Sequence, residues 1–227
     1  TWWMRTGRDG MIRVKVCCIG SVEEAGVAVE LGASAVGLVS SMPSGPGVIS
    51  EALIAEISAK IPPPIATFLL TSRTDPEEIA AQQKSCGINT IQICDRVSDG
   101  THAKLRALLP GCSLVQVVHI RGEESLEEAE GVAPNVDALL LDSGNQSLPT
   151  KELGGTGRTH DWSLSAQIVD LLPVPVFLAG GLTPHNVEDA IREVRPFGVD
   201  LCTGVRTAGR LDPVKLAAFM EAVGSTL

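Results

Sequence analysis

Two residues far apart in the chain have the chemistry of a proton-transfer pair. Cys17 ends strand-like IRVKVCC as its last residue but one, and Asp142 ends VDALLLD. A thiol and a carboxyl sharing one site can act as base and acid on a single substrate, provided the acid keeps its proton and the thiol gives its up. A carboxyl after three leucines needs a partner or must hold its proton, because an unpaired buried charge is costly. Each residue also has a plainer reading: a strand cysteine is commonly a small buried hydrophobe, and an aspartate before Ser-Gly commonly caps a turn.

Two glycine-bearing runs offer a second chemistry. FLAGGLTPHN carries Gly180 and Gly181, and VDLCTGVRTAG carries Thr203, Gly204 and Val205. Small residues there expose backbone N–H groups, which suits a phosphate, although glycines also serve tight turns. Arg206 adds positive charge or is simply solvated. GGTGRTHDW, residues 154–162, lacks the GxxxxGK[ST] spacing of a nucleotide loop. It follows a polar stretch, and 143–160 is read as a mobile loop over the site. The histidines (102, 119, 160, 185) have no metal-ligand spacing, and His160 alone merits attention. The six cysteines lack both metal spacing and a secreted framework, which fits a reducing, cytoplasmic compartment.

Positioning these groups requires a scaffold, and the pattern of elements supplies one. Strand-like runs fall at 12–18, 35–40, 64–70, 89–94, 114–119, 136–142, 175–179 and 198–202. Helix-like segments lie near 21–31, 50–60, 76–86, 101–109, 123–131, 162–172, 184–194 and 213–223. Ser50, Asp75-Pro76, Thr183-Pro184 and Asp212-Pro213 are start signals, the last three placing proline first in the helix. Eight βα units in so short a chain predict an α/β fold, a single-domain (β/α)8 TIM barrel over residues 11–227. An open doubly wound sheet has fewer strands and a glycine-rich first turn, whereas CIGSVEE has one glycine. Barrel sites lie at the C-terminal strand ends, with the phosphate cradle after strands 7 and 8. Strand alternation puts Arg13, Lys15 and Cys17 in the lumen, with Gln92, Cys94, Asp200 and Cys202, and sends Cys18 out beneath the helices.

Bulk composition is consistent with that core. Hydrophobic residues make up 44% of the 227, aromatics only 3%, and tyrosine is absent. The formal net charge of −9 argues against a nucleic-acid surface. No apolar run nears the roughly 18 residues of a membrane span. Residues 1–10, TWWMRTGRDG, lack a signal-peptide core and are read as a disordered extension or a cloning remnant.

Taken in order, KVCCIGSVEEAGVAVELGASAVGLV, DALLLDSG, GGTGRTHDW, VFLAGGLTPHNVEDAI and GVDLCTGVR resemble the phosphoribosylanthranilate isomerase family of tryptophan biosynthesis. The similarity runs from Lys15 to about Phe219. It implies an Amadori rearrangement of a phosphorylated N-ribosyl amine to a 1-amino-1-deoxyketose phosphate, with no cofactor. Cys17 falls on the family's general base and Asp142 on its general acid. Phosphate binding falls on Gly180, Gly181, Thr203, Gly204 and Val205, and substrate contacts on Lys15, Gln92, Cys94, Gly155 and Asp200. The expected partner is a small phosphorylated sugar.

Three departures stand out against the family pattern. KICGIT reads CCIG here, with Cys18 for glycine; QLHG reads QICD, with Cys94 for histidine; and Gly47 stands where an arginine holds the anthranilate carboxylate. Arg73, Arg121 and Arg158 are candidate replacements. Two alternatives follow: a paralogue acting on another phosphorylated N-glycoside, or a non-catalytic barrel that binds a phosphometabolite.

Overall fold

The computed structural model describes residues 11–226. The expectation for residues 1–10 lies outside the described residues. Eight parallel strands close into a barrel in sequence order, β1 pairing with β8. They are β1 (Arg13–Val16), β2 (Ala35–Val39), β3 (Ala66–Thr71) and β4 (Thr90–Ile93), followed by β5 (Ser113–His119), β6 (Ala138–Asp142), β7 (Val176–Leu178) and β8 (Gly198–Leu201). The helices between them are α1 (Val22–Glu30), α2 (Glu51–Ser58), α3 (Pro76–Cys86) and α4 (Thr101–Leu108), then α5 (Glu124–Val132), α6 (Trp162–Leu171), α7 (Val187–Val194) and α8 (Pro213–Gly224). A two-stranded hairpin, Arg206–Thr207 with Arg210–Leu211, links β8 to α8.

Alternation along each strand divides the apolar residues into two bodies. Val14 and Val16, Val36 and Leu38, Ile91 and Ile93, and Val199 and Leu201 pack outward against the helices. Ala35, Phe68, Leu70, Val115, Val117, Leu140 and Phe177 fill the lumen. Phe177 meets Phe68 and Phe197 edge-on, with centroids 6.0 and 5.5 Å apart, so the lower barrel is packed rather than open.

Helix starts follow the capping chemistry at three of the four signals. Ser50 Oγ accepts from Leu53 N–H, Asp75 Oδ1 from Glu78 N–H, and Asp212 Oδ1 from the N–H groups of Val214 and Lys215. The fourth is corrected. α7 begins at Val187, and Pro184 is not its first residue. Asn186 Oδ1 accepts from Thr183 N–H at 2.8 Å, closing residues 183–186 into a turn of their own before the helix.

Candidate functional site

The upper end of the lumen starts from a buried ion pair. The β1–β8 register sets Lys15 beside Asp200, and Lys15 Nζ donates to Asp200 Oδ1 at 2.8 Å. The ammonium is completely buried and sits 5.2 Å from the Phe68 ring centroid. Burial pulls Lys15 down, but Asp200 and the nearby Cys17 thiol outweigh it and hold the lysine above its ordinary range. Burial pushes the Asp200 carboxyl up, and Lys15 opposes that rise. Of these two expected substrate contacts, Asp200 lines the open cleft while Lys15 supports it from beneath.

Cys17 lies above this pair. Gly37, a neighbour on β2 that the sequence reading did not single out, makes room for it. A Cβ at Gly37 would lie 2.9 Å from Cys17 Sγ and 3.1 Å from Lys15 Nζ. A glycine in the middle of the strand AVGLV was the available signal.

Cys18 does not point beneath the helices as alternation predicts. β1 ends at Val16, and Cys18 adopts φ +61, the left-handed region. That rotation cancels the two-residue alternation, which holds only in extended backbone. The Cys18 side chain therefore turns into the lumen cluster and lines the cleft. Its Sγ donates to Cys17 Sγ at 3.9 Å. Hydrogen bonds to Cys17 and to Cys202, together with burial, push the Cys18 thiol up. Cys202 is held down by the Cys18 hydrogen bond against burial, helped by Arg206. Arg206 itself is neither solvated nor a cleft wall: it donates to Glu24 at 3.2 Å and to the carbonyls of Cys17 and Cys18, fastening the β8 loop to the end of β1.

Asp142, 8% exposed, ends β6 and lines the same cleft as Cys17. Its Oδ1 accepts from Ser143 N–H at 2.7 Å. The loop 143–160 descends onto it, and a Cβ at Gly154 would stand 2.9 Å from Asp142 Oδ2. That loop is fastened by paired Asn145 and Glu152, by the Ser143 and Thr156 hydroxyls 2.6 Å apart, and by Ser44 Oγ donating to Lys151 O. Gly155, Gln92 and Cys94 also line the cleft. Gln92 Nε2 donates to Cys94 Sγ at 3.7 Å, and burial pushes the Cys94 thiol far up. His160 Nε2 lies 2.7 Å from Ser165 Oγ, and burial lowers the ring below the usual histidine range. Among the described residues no cluster of histidine, cysteine and carboxylate side chains is arranged to hold a metal.

Across the cleft, the wall is backbone. Gly180 and Gly181 have φ +87 and +61 and line the cleft with Thr203. A Cβ at Gly181 would lie 2.7 Å from Arg158 C, so loop 143–160 can cross only a glycine here. The N–H groups of Gly180, Gly181, Thr203 and Gly204 donate no hydrogen bond among the described residues. Gly204 packs against the Leu182 carbonyl and does not line the cleft. Val205 is fully buried in the core, its N–H turned back to Cys202 O at 3.5 Å.

The arrangement is thus a thiol and a carboxyl in one cleft, with unsatisfied amides at the ends of β7 and β8. A family model, N-(5'-phosphoribosyl)anthranilate (PRA) isomerase, matches residues 14–222. The chain belongs to the PRA isomerase family. It is 35% identical over 212 residues to N-(5'-phosphoribosyl)anthranilate isomerase 2 of Methanosarcina mazei, covering 92% of this chain and 93% of that one. The isomerase of Halobacterium salinarum is likewise 35% identical, over 95% of this chain and 97% of its own. Among solved structures, the phosphoribosyl anthranilate isomerase of Thermotoga maritima superposes with TM-score 0.80 at 30% identity, covering 95% and 100% of the two chains. A phosphoribosyl anthranilate isomerase in complex with reduced 1-(o-carboxyphenylamino)-1-deoxyribulose 5-phosphate gives 0.79 at 29% identity, with the same coverage.

None of the arginines among the described residues takes the place expected of a carboxylate anchor in this PRA isomerase family cleft. No lysine or arginine among the described residues lines the cleft. Arg73 is engaged by Glu51 at 3.1 Å, Arg121 by Ser147 at 2.9 Å and Arg158 by Glu152. None of the three candidate replacements is part of the cleft wall.

Proposed function

We propose that this chain catalyses the family's Amadori rearrangement, opening a phosphorylated N-ribosyl amine to a 1-amino-1-deoxyketose phosphate. The observation that carries it is the shared cleft: Cys17 and Asp142, from opposite sides of the barrel, line it together with the glycine wall of Gly180 and Gly181. The unpaired N–H groups of Gly180, Gly181 and Thr203, all on the cleft wall, suit the phosphate oxygens. Asp142 gives its proton to the furanose ring oxygen while the amine lone pair expels it, leaving an iminium at C1. Cys17, as thiolate, removes the C2 proton, and the resulting enolamine takes a proton at C1 from the Cys17 thiol and gives up its C2 hydroxyl proton, through water, to the Asp142 carboxylate, becoming the ketone and restoring both groups. Atoms and electrons balance within one molecule, so the step needs no redox partner. Gln92, Cys94, Gly155 and Asp200 complete the wall around the sugar, and Lys15 holds Asp200 in place.

Among the described residues all six cysteines are free thiols and no helix is long and apolar enough to cross a membrane. The free thiols favour a reducing, cytoplasmic setting. The test is turnover of phosphoribosylanthranilate, generated in place and followed by loss of its anthranilate fluorescence. Cys17→Ser and Asp142→Asn are expected each to lower kcat by about 10²- to 10⁴-fold, the usual contribution of a positioned acid or base. Turnover left intact by both substitutions would refute the assignment. A wild type that binds the phosphate compound without converting it would instead favour the non-catalytic barrel.

A further inference from the structure

We infer that Cys18 and Cys202 form a peroxide-reactive thiol pair, which a peroxide converts to a disulfide tying the end of β1 to the loop after β8. The site borders the acid–base cleft and does not depend on which substrate that cleft takes.

Three cysteines meet where β1 and β8 end. Val16 pairs with Leu201 in the barrel register, and Cys17 N–H donates to Leu201 O at 2.8 Å, so the residues that follow the two strands run side by side. Extended backbone at Cys18 would turn its side chain beneath the helices, whereas φ +61 turns it into the cleft. There its Sγ lies 3.9 Å from Cys17 Sγ and hydrogen-bonds Cys202. A left-handed residue with a Cβ is costly, so the surrounding structure holds this contact against local preference. Cys18 and Cys202 both line the cleft, which gives a small oxidant its entry.

The cysteines differ in reactivity. Burial pushes Cys86 and Cys112 up to about 11 and Cys94 higher still, which keeps these three as inert thiols. Cys202 moves the other way: the Cys18 hydrogen bond, helped by Arg206, outweighs burial and the Asp200 charge and favours the thiolate. Arg206 Nε is buried without a hydrogen-bond partner among the described residues, a donor left for an anion beside it. Cys202 is also only half-buried. A partly exposed thiolate beside a cation, with a second thiol in contact, is the arrangement of a cysteine that oxidises and is then resolved. The Cys202 thiolate attacks hydrogen peroxide; the S–O bond forms, the O–O bond breaks and hydroxide leaves, giving a sulfenic acid. Cys18 sulfur then attacks Cys202 sulfur; the S–S bond forms, the S–O bond breaks, and the departing hydroxide takes the Cys18 proton as water. The thiol pair loses two electrons, and one peroxide is reduced to two waters. Exchange with a thiol reductant reverses the change.

Peptide mapping by mass spectrometry tests this on the whole chain, after treatment with hydrogen peroxide and alkylation of the remaining thiols. The wild type is expected to lose about 2 Da, with Cys18 joined to Cys202, and dithiothreitol is expected to restore both thiols. Cys17→Ser is expected to crosslink as the wild type does, which separates this pair from a bond between the adjacent Cys17 and Cys18. Cys18→Ser is expected to leave Cys202 as a sulfenic acid that dimedone traps, a product that a merely structural contact would not give. In Cys202→Ser, oxidation of Cys18 is expected to slow by about tenfold or more. A wild type joined through Cys17, one that gains oxygen on cysteine without a crosslink, or one that keeps all six thiols would overturn the inference. Should Cys18→Ser not fold, the crosslink map of the wild type and of Cys17→Ser decides. The readout is a mass and needs no turnover, so failure of the reaction reading appears separately, as an absence of phosphoribosylanthranilate conversion in the reduced protein.

Discussion

The cleft has two sides built in different ways. At the ends of β7 and β8 it is backbone: Gly180 and Gly181 in left-handed conformation, with Thr203, present N–H groups that no other described residue uses. At the ends of β1 and β2 it is side chain: Cys17, Cys18 and Met42 line it, and Gly47 is glycine because Cys18 fills the space beside it. A wall made of amides keeps its chemistry through most sequence changes, provided the glycines remain. A wall made of side chains changes with each substitution, and two of the three expected departures, Cys18 and Gly47, fall on that side.

That contrast can be broken at several points. The largest effect is expected beneath the side-chain wall. Lys15→Met leaves Asp200 buried without its partner and is expected to cost about 3–5 kcal/mol in denaturant unfolding. The double replacement Lys15→Met/Asp200→Leu is expected to recover most of it, because two apolar groups need no mutual compensation; no recovery would mean that packing, not charge, dominates the site.

On the backbone side the sensitive atom is the Cβ. Gly181→Ala places one 2.7 Å from Arg158 C in a left-handed residue. A cost of about 1–3 kcal/mol is expected from overpacking, with KM for the phosphorylated substrate raised more than kcat is lowered. An unaltered KM would detach these glycines from phosphate binding.

Acid sensitivity is expected at the end of β5 and in the loop beside Gly180. Burial lowers His119 and His160, each of which has a buried Nδ1 without a partner. The unfolded chain therefore takes up these protons first as pH falls through the ordinary histidine value of 6.5. Stability is fully present above that value and declines below it. Chemical-denaturation midpoints between pH 7.5 and 5.5 should fall, and His160→Gln should flatten the slope.

The smallest effect is predicted where the backbone side carries a dispensable side chain. Thr203 is exposed, and Thr203→Ala is expected to change stability by no more than about 0.5 kcal/mol, with KM within twofold. A large rise in KM would show that the hydroxyl, and not the amide, does the binding.

Legibility from sequence varied in the same way between the two sides. The eight strands, their lumen-facing residues and the caps at Ser50, Asp75 and Asp212 all follow from hydrophobic period and local hydrogen bonding. The glycines of the β7 and β8 loops were visible because small residues in those two loops mark the phosphate cradle of this fold. Cys18 was misplaced because alternation was extended past the last strand residue into a left-handed one. Pro184 was misplaced because Asn186 competes for Thr183 N–H and closes a turn before the helix. Gly37 and Gly154 were missed because what makes them necessary, Cys17 Sγ and Asp142 Oδ2, lies far away in sequence.

The sequence by itself determined the barrel and the parity of its strands and pointed to Cys17 and Asp142 as the candidate pair, because these depend on short-range periodicity and on motif order. Only the tertiary structure decided that Lys15 is consumed by Asp200, that Arg73, Arg121 and Arg158 are all engaged outside the cleft, and that residues 18 and 47 compete for one space. Each of those is a contact between residues remote in the chain. Their distances are set by barrel closure and loop packing, which no local pattern encodes.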